Sequence, residues 1–348
     1  MSEKLRLFLE DDSALSGLPG HDYLFAAADS AASVLENEIC SYRPAAEFNR
    51  LGGLVDFSGR RAECGRLPLI IVPDLHARAY FLRNILNFVL PVSFACSEIN
   101  GEKTQISVFQ ALEQDKARIV FVGDLLHSEL RGRLRWMEAL EDFERGIFNG
   151  RAMTGEMEEG LALLSMVMEL KISFPANVHI LKGNHENIMN VRGPGDYPFR
   201  KFANEGEMVK DFMEEVYGDD VLMVVSCFER NLPLAAVFPG CVISHAEPVR
   251  AFSREELING MNSDEVILGL TWTENNAAKE GGVKKMLDSL TGNPKALYFG
   301  GHRPIQGNYA LRQNGRFVQI HNPDRQNIVL VYADKDIELE NDIVKVGE

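Results

Sequence analysis

The stretch "NVHILKGNHE" (177–186) joins a short apolar run to the polar pair Asn184-His185. Gly and Asn suit a chain reversal because their backbones tolerate unusual conformations, but a simple turn gains nothing particular from the His and Glu that follow. The apolar run is short and contains β-branched residues, as a buried strand does. We therefore interpret this stretch as a strand that carries functional side chains at its carboxyl end.

The chain contains five more runs of this kind. They are "LPLIIVPD" (67–74), "ARIVFVGD" (117–124), "CVISHAEP" (241–248), "ALYFGGHRP" (296–304) and "RFVQIHNP" (316–323). Helical patterns, with apolar residues three and four positions apart, lie between them at 78–90, 156–170 and 205–218. The repeated order of strand and helix predicts an α/β layer fold. The turn signal "RQNGR" (312–316) further predicts a hairpin, and with it a mixed sheet.

Polar side chains that can bind a metal follow five of these strands. They are Asp74 with His76, Asp124, Asn184 with His185, His245, and His302. Ligands gather at the carboxyl ends of the strands in an open α/β sheet, so we expect these residues to meet in one crevice. Each signal alone is weak, because Gly-Asp is a common turn and a single His is more often structural. Their recurrence at five strand ends favours a shared site.

The chemistry of this set is that of a metal centre. Carboxylate and imidazole ligands without thiolates suit Mn²⁺, Fe or Zn²⁺. If one carboxylate bridged two such ions about 3.5–4 Å apart, the pair would clamp a phosphoryl oxygen and lower the pKa of a bound water toward about 7. The sequence contains none of the known serine or cysteine nucleophile motifs. The set therefore indicates metal-assisted hydrolysis.

The charge of the chain bears on its partners. The 348 residues carry a formal net charge of −15, from 51 acidic and 36 basic side chains, without a run of Lys and Arg. A nucleic-acid partner needs such a positive surface, so we expect none.

The cysteines and the apolar runs bear on the compartment. The cysteines are Cys40, Cys64, Cys96, Cys227 and Cys241, an odd number without a C-x-x-C pair. This argues against a disulfide framework or a structural zinc site and favours a reducing cytosol. We find no signal-peptide pattern at the N-terminus and no apolar run near the roughly 18 residues of a membrane span. We therefore expect a cytoplasmic protein without a membrane segment.

The ordered set Asp-x-His, Gly-Asp, Gly-Asn-His-Glu, His and Gly-His resembles the calcineurin-like metallophosphoesterase superfamily. Pro304 stands where many branches of that superfamily have a second His. This proline and the segments "LTWTEN" (270–275) and "GRFVQIHNPDRQNIVLV" (315–331) resemble the pattern of the phosphoprotein phosphatase branch, which contains the serine/threonine phosphatase-like proteins. The resemblance runs from about Leu67 to Tyr332.

This resemblance implies a fold and a division of the chain. The fold would be a four-layer α/β/β/α sandwich with mixed sheets. Residues 66–335 would form the metallophosphoesterase domain, after an N-terminal extension of unknown role at 1–65 and before a C-terminal tail at 336–348.

The resemblance also implies a role for each strand-end residue. Two metal ions would be held, the first by Asp74 and His76, the second by Asn184, His245 and His302, with Asp124 as the bridging ligand. His185 would be the catalytic residue that donates a proton to the leaving-group oxygen, a task that suits a side chain with a pKa near neutrality. We expect Glu186 to support these residues from behind.

The segment "GDLLHSELRGR" (123–133) departs from the family pattern. His127 and Ser128 stand where the family has an Asp that orients the catalytic His and an Arg that holds the phosphate. His127 either orients His185, binds the leaving group or caps a helix, and the sequence leaves these alternatives open.

Three arginines are candidates for the lost phosphate clamp, because a guanidinium matches a pair of phosphate oxygens. They are Arg78, Arg131 and Arg303, although for any one of them alone we prefer the interpretation as a solvated charge at the end of a strand or helix. A second departure is "HAEP" (245–248) in place of the family's His-Gly-Gly, which puts the Glu247 carboxylate near the metal site.

The expected function is hydrolysis of a phosphomonoester, either a phosphoprotein or a small phosphate ester, by attack of a metal-bound hydroxide. One alternative is a dinucleoside polyphosphate hydrolase or phosphodiesterase, as in other branches of the superfamily. Another is a non-catalytic scaffold with the same fold. The complete ligand set and His185 favour an enzyme, whereas the missing Asp and Arg favour the scaffold.

Overall fold

The computed structural model describes residues 3–38, 42–58, 67–99, 101–193 and 195–347. Its helices are α1 (Glu3–Glu10), α2 (His21–Glu36), α3 (Ala79–Asn87), α4 (Val108–Glu113), α5 (Arg133–Phe143), α6 (Arg151–Ser173), α7 (Glu205–Arg230), α8 (Arg254–Ile258), α9 (Asp264–Thr271), α10 (Gly282–Leu290) and α11 (Leu339–Asp342). Short 3₁₀ helices cover Asp12–Leu15, Glu47–Asn49, Leu130–Gly132 and Gly260–Asn262.

The strands are β1 (Leu54–Asp56), β2 (Leu69–Val72), β3 (Cys96–Ile99), β4 (Glu102–Gln105), β5 (Arg118–Phe121), β6 (Val178–Ile180), β7 (Ala235–Phe238), β8 (Cys241–Ser244), β9 (Leu297–Gly300), β10 (Ala310–Arg312), β11 (Phe317–Gln319), β12 (Asn327–Val331) and β13 (Ile343–Lys345). The six apolar runs found in the sequence therefore form β2, β5, β6, β8, β9 and β11.

Two mixed sheets carry most of these strands. The six-stranded sheet has the order β1-β7-β8-β9-β11-β10, and the five-stranded sheet has the order β13-β12-β2-β5-β6. Strands β2, β5 and β6 run parallel, as do β8, β9 and β11 in the other sheet. Strands β10 and β11 form the hairpin that the turn signal predicts.

The side chains of the strands alternate between different cores, as the two-residue period of a strand requires. On β2, Ile70 packs among helices α1 to α7, and its neighbour Ile71 packs against the six-stranded sheet. On β8, Ile243 enters the same inter-sheet core, and Val242 packs on the opposite face with α8, α9 and α10. Helices, sheet, sheet and helices thus form the four layers that the sequence predicts.

The N-terminal segment packs into the same layers. Leu24 and Leu35 of α2 are buried in the core that α6 and α7 share. Strand β1 pairs in parallel with β7, and β13 near the other end pairs with β12. The packing therefore continues across the bounds proposed at residues 65 and 335, and the division of the chain stays a prediction from the family resemblance.

The described cysteines, Cys96, Cys227 and Cys241, are free thiols, whereas Cys40 and Cys64 lie outside the described residues. Most of the stretch "FSGRRAECGR" (57–66), whose Gly and polar residues are typical of a turn-rich connector, lies outside them as well. Among the described helices, none combines the length and the apolar character needed to cross a membrane.

Candidate metal centre

The loops that follow the central strands have unusual backbone conformations. His76, Asp124 and His302 have φ values of 43°, 55° and 66°, in the left-handed region that residues other than glycine rarely adopt. Such strained conformations cluster at functional sites, where the surroundings enforce them. A β-carbon at Gly301 would collide with the Asp74 carboxylate, so glycine is required where the loop after β9 meets the loop after β2.

One part of the centre is the Asn184 group, formed by Asn184, His245 and His302. Asn184 Oδ1 lies 2.9 Å from His245 Nε2 and 2.9 Å from His302 Nδ1. The two ring nitrogens lie 3.3 Å apart, and Asp124 Oδ2 lies 3.4 Å from His245 Nε2. Atoms bonded to one ion at about 2.0–2.2 Å have a spacing of this kind. Four loops thus supply oxygen and nitrogen atoms around one point.

The second part is the Asp74 group, formed by Asp74, His76 and His321, whose ligand atoms also lie close enough to hold an ion. Asp124 Oδ2 lies 3.6 Å from His76 Nε2. Asp124 is therefore adjacent to both groups, as the bridging role implied by the family resemblance requires.

The surroundings of these residues fit metal binding. His76 Nδ1 donates a hydrogen bond to the His127 carbonyl at 3.1 Å, and His245 Nδ1 donates one to the Val122 carbonyl at 3.1 Å. Histidines that bind metals commonly donate their other N–H in this way. The buried Asp74 Oδ1 has no hydrogen-bond partner among the described residues, which leaves it available to an ion.

The electrostatics of the centre agree with this fit. Burial raises the pKa of Asp74 to about 6 and raises the pKa of Asp124 well above its usual range. Burial also lowers the pKa of His76 to about 3, which keeps the imidazole in the neutral form that binds a metal. Cations beside the two carboxyl groups would favour their ionised form. The residues present therefore fit two metal ions.

His185 directs one ring nitrogen toward the centre. Its Nε2 lies 3.7 Å from Asp124 Oδ2, and its Nδ1 lies 2.9 Å from His127 Nδ1. The Phe199 ring lies against both histidines, with centroids 3.8 Å from His185 and 5.1 Å from His127. Among the alternatives left open for His127, this contact favours orientation of His185.

Glu186 holds the Gly-Asp and Gly-Asn-His-Glu loops together. One carboxylate oxygen accepts hydrogen bonds from the backbone N–H groups of Asp124 (2.9 Å) and Gly183 (2.6 Å), and the other accepts from Leu125 (2.8 Å). These bonds fix the positions of two loops that carry candidate ligands.

The arginines suggested by the sequence lie in different surroundings. Arg303 lines a cavity of about 190 Å³ that also contains His76, Asn184 and His185, and it pairs with Glu274. Arg200 and Lys201 line the same cavity, and sequence reasoning missed both.

Arg78 and Arg131 line a neighbouring cavity of about 230 Å³. Arg78 donates to backbone carbonyls, among them those of Asp74 and Pro323 at 2.6 and 3.1 Å. Arg131 pairs with Glu159 and donates to the Ala77 carbonyl at 3.1 Å. Both guanidinium groups already have protein partners, and their role as phosphate clamps stays a prediction.

Glu247 and His321 lie in loops that follow two strands of the six-stranded sheet. The Glu247 carboxylate accepts hydrogen bonds from Arg312 (2.6 Å) and Gln313 (2.7 Å) of the β10–β11 hairpin. His321 was missed in the sequence, although it follows β11 just as the other candidate ligands follow their strands. The same signal would have found it.

The comparisons with known proteins add the following findings. No model of a known protein family matches the sequence. Among solved structures, a protein serine/threonine phosphatase from Saccharomyces cerevisiae, described as similar to human phosphatase PP5, matches with a TM-score of 0.57 and 16% sequence identity. The match covers 99% of this chain and 95% of the yeast chain. A cold-active protein-tyrosine phosphatase of a psychrophilic Shewanella matches with a TM-score of 0.43 and 11% identity, over 81% and 78% of the two chains.

The yeast structure settles the fold. The chain has the phosphatase fold of the metallophosphoesterase type, so the fold class and the structural resemblance that the sequence predicts are confirmed.

Proposed function

We propose that this protein is a two-metal phosphoesterase that hydrolyses a phosphomonoester, either a phosphoprotein or a small phosphate ester. The observation that carries the proposal is the position of Asp124 beside both the Asn184 group and the Asp74 group, with His185 Nε2 facing the same carboxylate. Two bound ions would polarise a phosphoryl oxygen and supply the activated water that attacks phosphorus.

The proposed ligands are those implied by the family resemblance. Asp74 and His76 would hold the first ion, Asp124 would be shared by both ions, and Asn184, His245 and His302 would hold the second ion. Oxygen and nitrogen ligands without thiolates favour Mn²⁺, Fe or Zn²⁺.

His185 is proposed to protonate the leaving-group oxygen from Nε2. In that state its Nδ1–H donates to His127 Nδ1, so His127 fixes the plane of the ring and directs Nε2 toward the ester. Burial, together with the histidines around it, lowers the pKa of His185 well below its usual value. The negative charge of a phosphate ester beside the ring acts in the opposite direction and favours the protonated form.

Positive charge for the phosphate is proposed to come from Arg303, Arg200 and Lys201, which line the cavity beside His185. Phe199 covers the two histidines and limits the access of water to them. We assign catalysis to residues 66–335 and a supporting role to residues 1–65, because α2 packs in the core of the helical layer. The unpaired thiols of the described cysteines favour a cytosolic location.

The test is hydrolysis of p-nitrophenyl phosphate, bis(p-nitrophenyl) phosphate and a phosphoserine peptide by the metal-stripped full chain. Mn²⁺, Fe²⁺, Zn²⁺ or Mg²⁺ is added back singly, and bound metal is measured in parallel. We expect metal-dependent turnover of the monoesters that exceeds turnover of the diester. Turnover of diesters or dinucleoside polyphosphates alone would support the alternative enzyme, and two bound ions without any turnover would support the scaffold.

A further inference from the structure

His321 lies at the carboxyl end of β11 and is fully buried. Its Nδ1 lies 3.6 Å from Asp74 Oδ2, and its ring centroid lies 5.1 Å from that of His76. The ring therefore faces the place where the first ion is proposed to bind.

Glu129 determines which nitrogen of His321 carries the hydrogen. His321 Nε2 lies 2.8 Å from Glu129 Oε2. An ionised carboxylate only accepts hydrogen bonds, so Nε2 is the donor, and Nδ1 is the nitrogen left to present a lone pair to an ion. Lys201 Nζ, 3.2 Å from the other Glu129 oxygen, balances the charge of the carboxylate.

The lone pair of His321 Nδ1 has no hydrogen-bond partner among the described residues. A buried polar atom without a partner is costly, and a cation between Asp74 and His76 would supply that partner. A carboxylate that holds one ring nitrogen while the other binds a metal is a common arrangement, and it fixes both the tautomer and the direction of the ring.

We propose that His321 Nδ1 is a fourth protein ligand of the first metal ion, held in the binding tautomer by Glu129. This inference rests on the proposed function, because it presupposes an ion between Asp74 and His76. It also explains Pro304, the position at which many related proteins have a second His. Here the additional imidazole comes from the end of β11.

The proposal changes the expected metal. Asp74, His76, Asp124 and His321 give the first ion four protein ligands before water or phosphate binds. Zn²⁺ in proteins is usually four-coordinate, whereas six-coordinate sites suit Mn²⁺. An ion that accepts more than four ligands leaves room for the substrate, so we expect Mn²⁺ or Fe²⁺ to support more activity than Zn²⁺.

The experiment is a titration of the metal-stripped full chain with Co²⁺, followed by its visible absorption and by elemental analysis after free ions are removed. We expect two bound Co²⁺ per chain in the natural protein. His321→Ala should lower the affinity for one of these ions by more than about tenfold. Removal of a residue that only supports a metal ligand costs at least about that factor, and removal of a ligand should cost more. The absorption band of that ion should also change, because it reports the set of ligands.

Two further variants separate binding from folding. His321→Gln keeps an amide N–H for Glu129 but places no imidazole nitrogen near Asp74. It should therefore lower the affinity for the same ion, and it replaces His321→Ala in the test if the alanine variant does not fold. His179→Ala is the matched control, since His179 is equally buried but contacts Tyr42 and Phe57 away from the centre. It should bind two Co²⁺ with the natural spectrum.

The outcomes distinguish this inference from the function on which it rests. Two Co²⁺ bound by His321→Gln with unchanged affinity and spectrum would show that His321 is no ligand and would leave the phosphoesterase proposal intact. A natural protein that binds no Co²⁺ would overturn both.

Discussion

The Asn184 group and the Asp74 group both adjoin Asp124, but they are built in different ways. Members of the Asn184 group approach one another directly, with ligand atoms 2.9–3.3 Å apart, and each belongs to a motif that can be read in the sequence. The Asp74 group includes His321, whose ring is held by Glu129 from another loop. The end of a strand therefore indicates the position of His321, whereas the hydrogen bond that orients its ring depends on Glu129 and cannot be predicted from residue spacing.

The largest effect is expected from Asp124→Asn, because Asp124 adjoins both groups. Asn keeps an acceptor for the backbone N–H of His185, which lies 3.0 Å from Asp124 Oδ1, but it loses the bridging charge. We expect loss of at least one ion and no measurable metal-dependent turnover. Asp334→Asn, at an exposed site, is the control. A variant that retained two ions and activity would mean that the groups do not share a ligand.

His185→Asn tests chemistry without changing either group. Loss of a general acid costs roughly 10²–10⁴ in rate, so turnover should fall by that factor. Metal content should stay at the natural value, since His185 is proposed as a proton donor. Elemental analysis beside steady-state kinetics makes the measurement, with the exposed His21→Asn as the control. An unchanged rate would remove His185 from the mechanism, and a lost ion would make it a ligand.

Much of the fold could be predicted because its strands are short, apolar and directly followed by turns. Helix α7 was predicted too short, since the sequence pattern ended at Gly218 and the helix runs on to Arg230. Gly218 has a φ of 82°, so the chain bends there and then resumes its helical course. A glycine that ends a helix and one that bends it look the same in a sequence.

The candidate site was less predictable where loops from distant parts of the chain meet. Arg78 stays a predicted phosphate clamp, but the spacing of residues gave no sign that its guanidinium donates to carbonyls of the loop around Pro323. Arg200 and Lys201 lie in a long loop without a recognisable sequence pattern. They line the cavity because the folded course of that loop brings them there. Such positions depend on tertiary packing, which residue spacing does not describe.

Variants of His127 test whether its imidazole orients His185 in the way that the Asp of the family pattern would. His127→Ala should lower kcat by about 10–100-fold with little change in KM, as loss of an orienting partner does. His127→Asp should recover most of kcat, because a carboxylate accepts the same Nδ1–H of His185. A purely structural role would instead lower thermal stability in both variants and give no recovery by Asp.

The smallest effect on turnover is expected from Glu229→Gln, behind the loop that carries Asn184 and His185. Glu229 accepts a hydrogen bond from the Ile188 N–H at 2.7 Å, and burial raises its pKa to about 8, from an ordinary value of 4.5. Between these two values the unfolded chain releases a proton that the folded chain retains, so this carboxyl group makes the fold less stable as pH rises from about 4.5 to 8. A neutral Gln removes that loss of stability. At about 1.4 kcal/mol per pKa unit, the variant should gain on the order of 3–5 kcal/mol at pH 8 and almost nothing near pH 4.

Urea unfolding across this pH range measures the gain, with Glu215→Gln on the exposed face of α7 as the control. A change in metal content or kcat in Glu229→Gln would show that the Asn184 group also depends on side chains outside its motifs, and the contrast with the Asp74 group would then be one of degree.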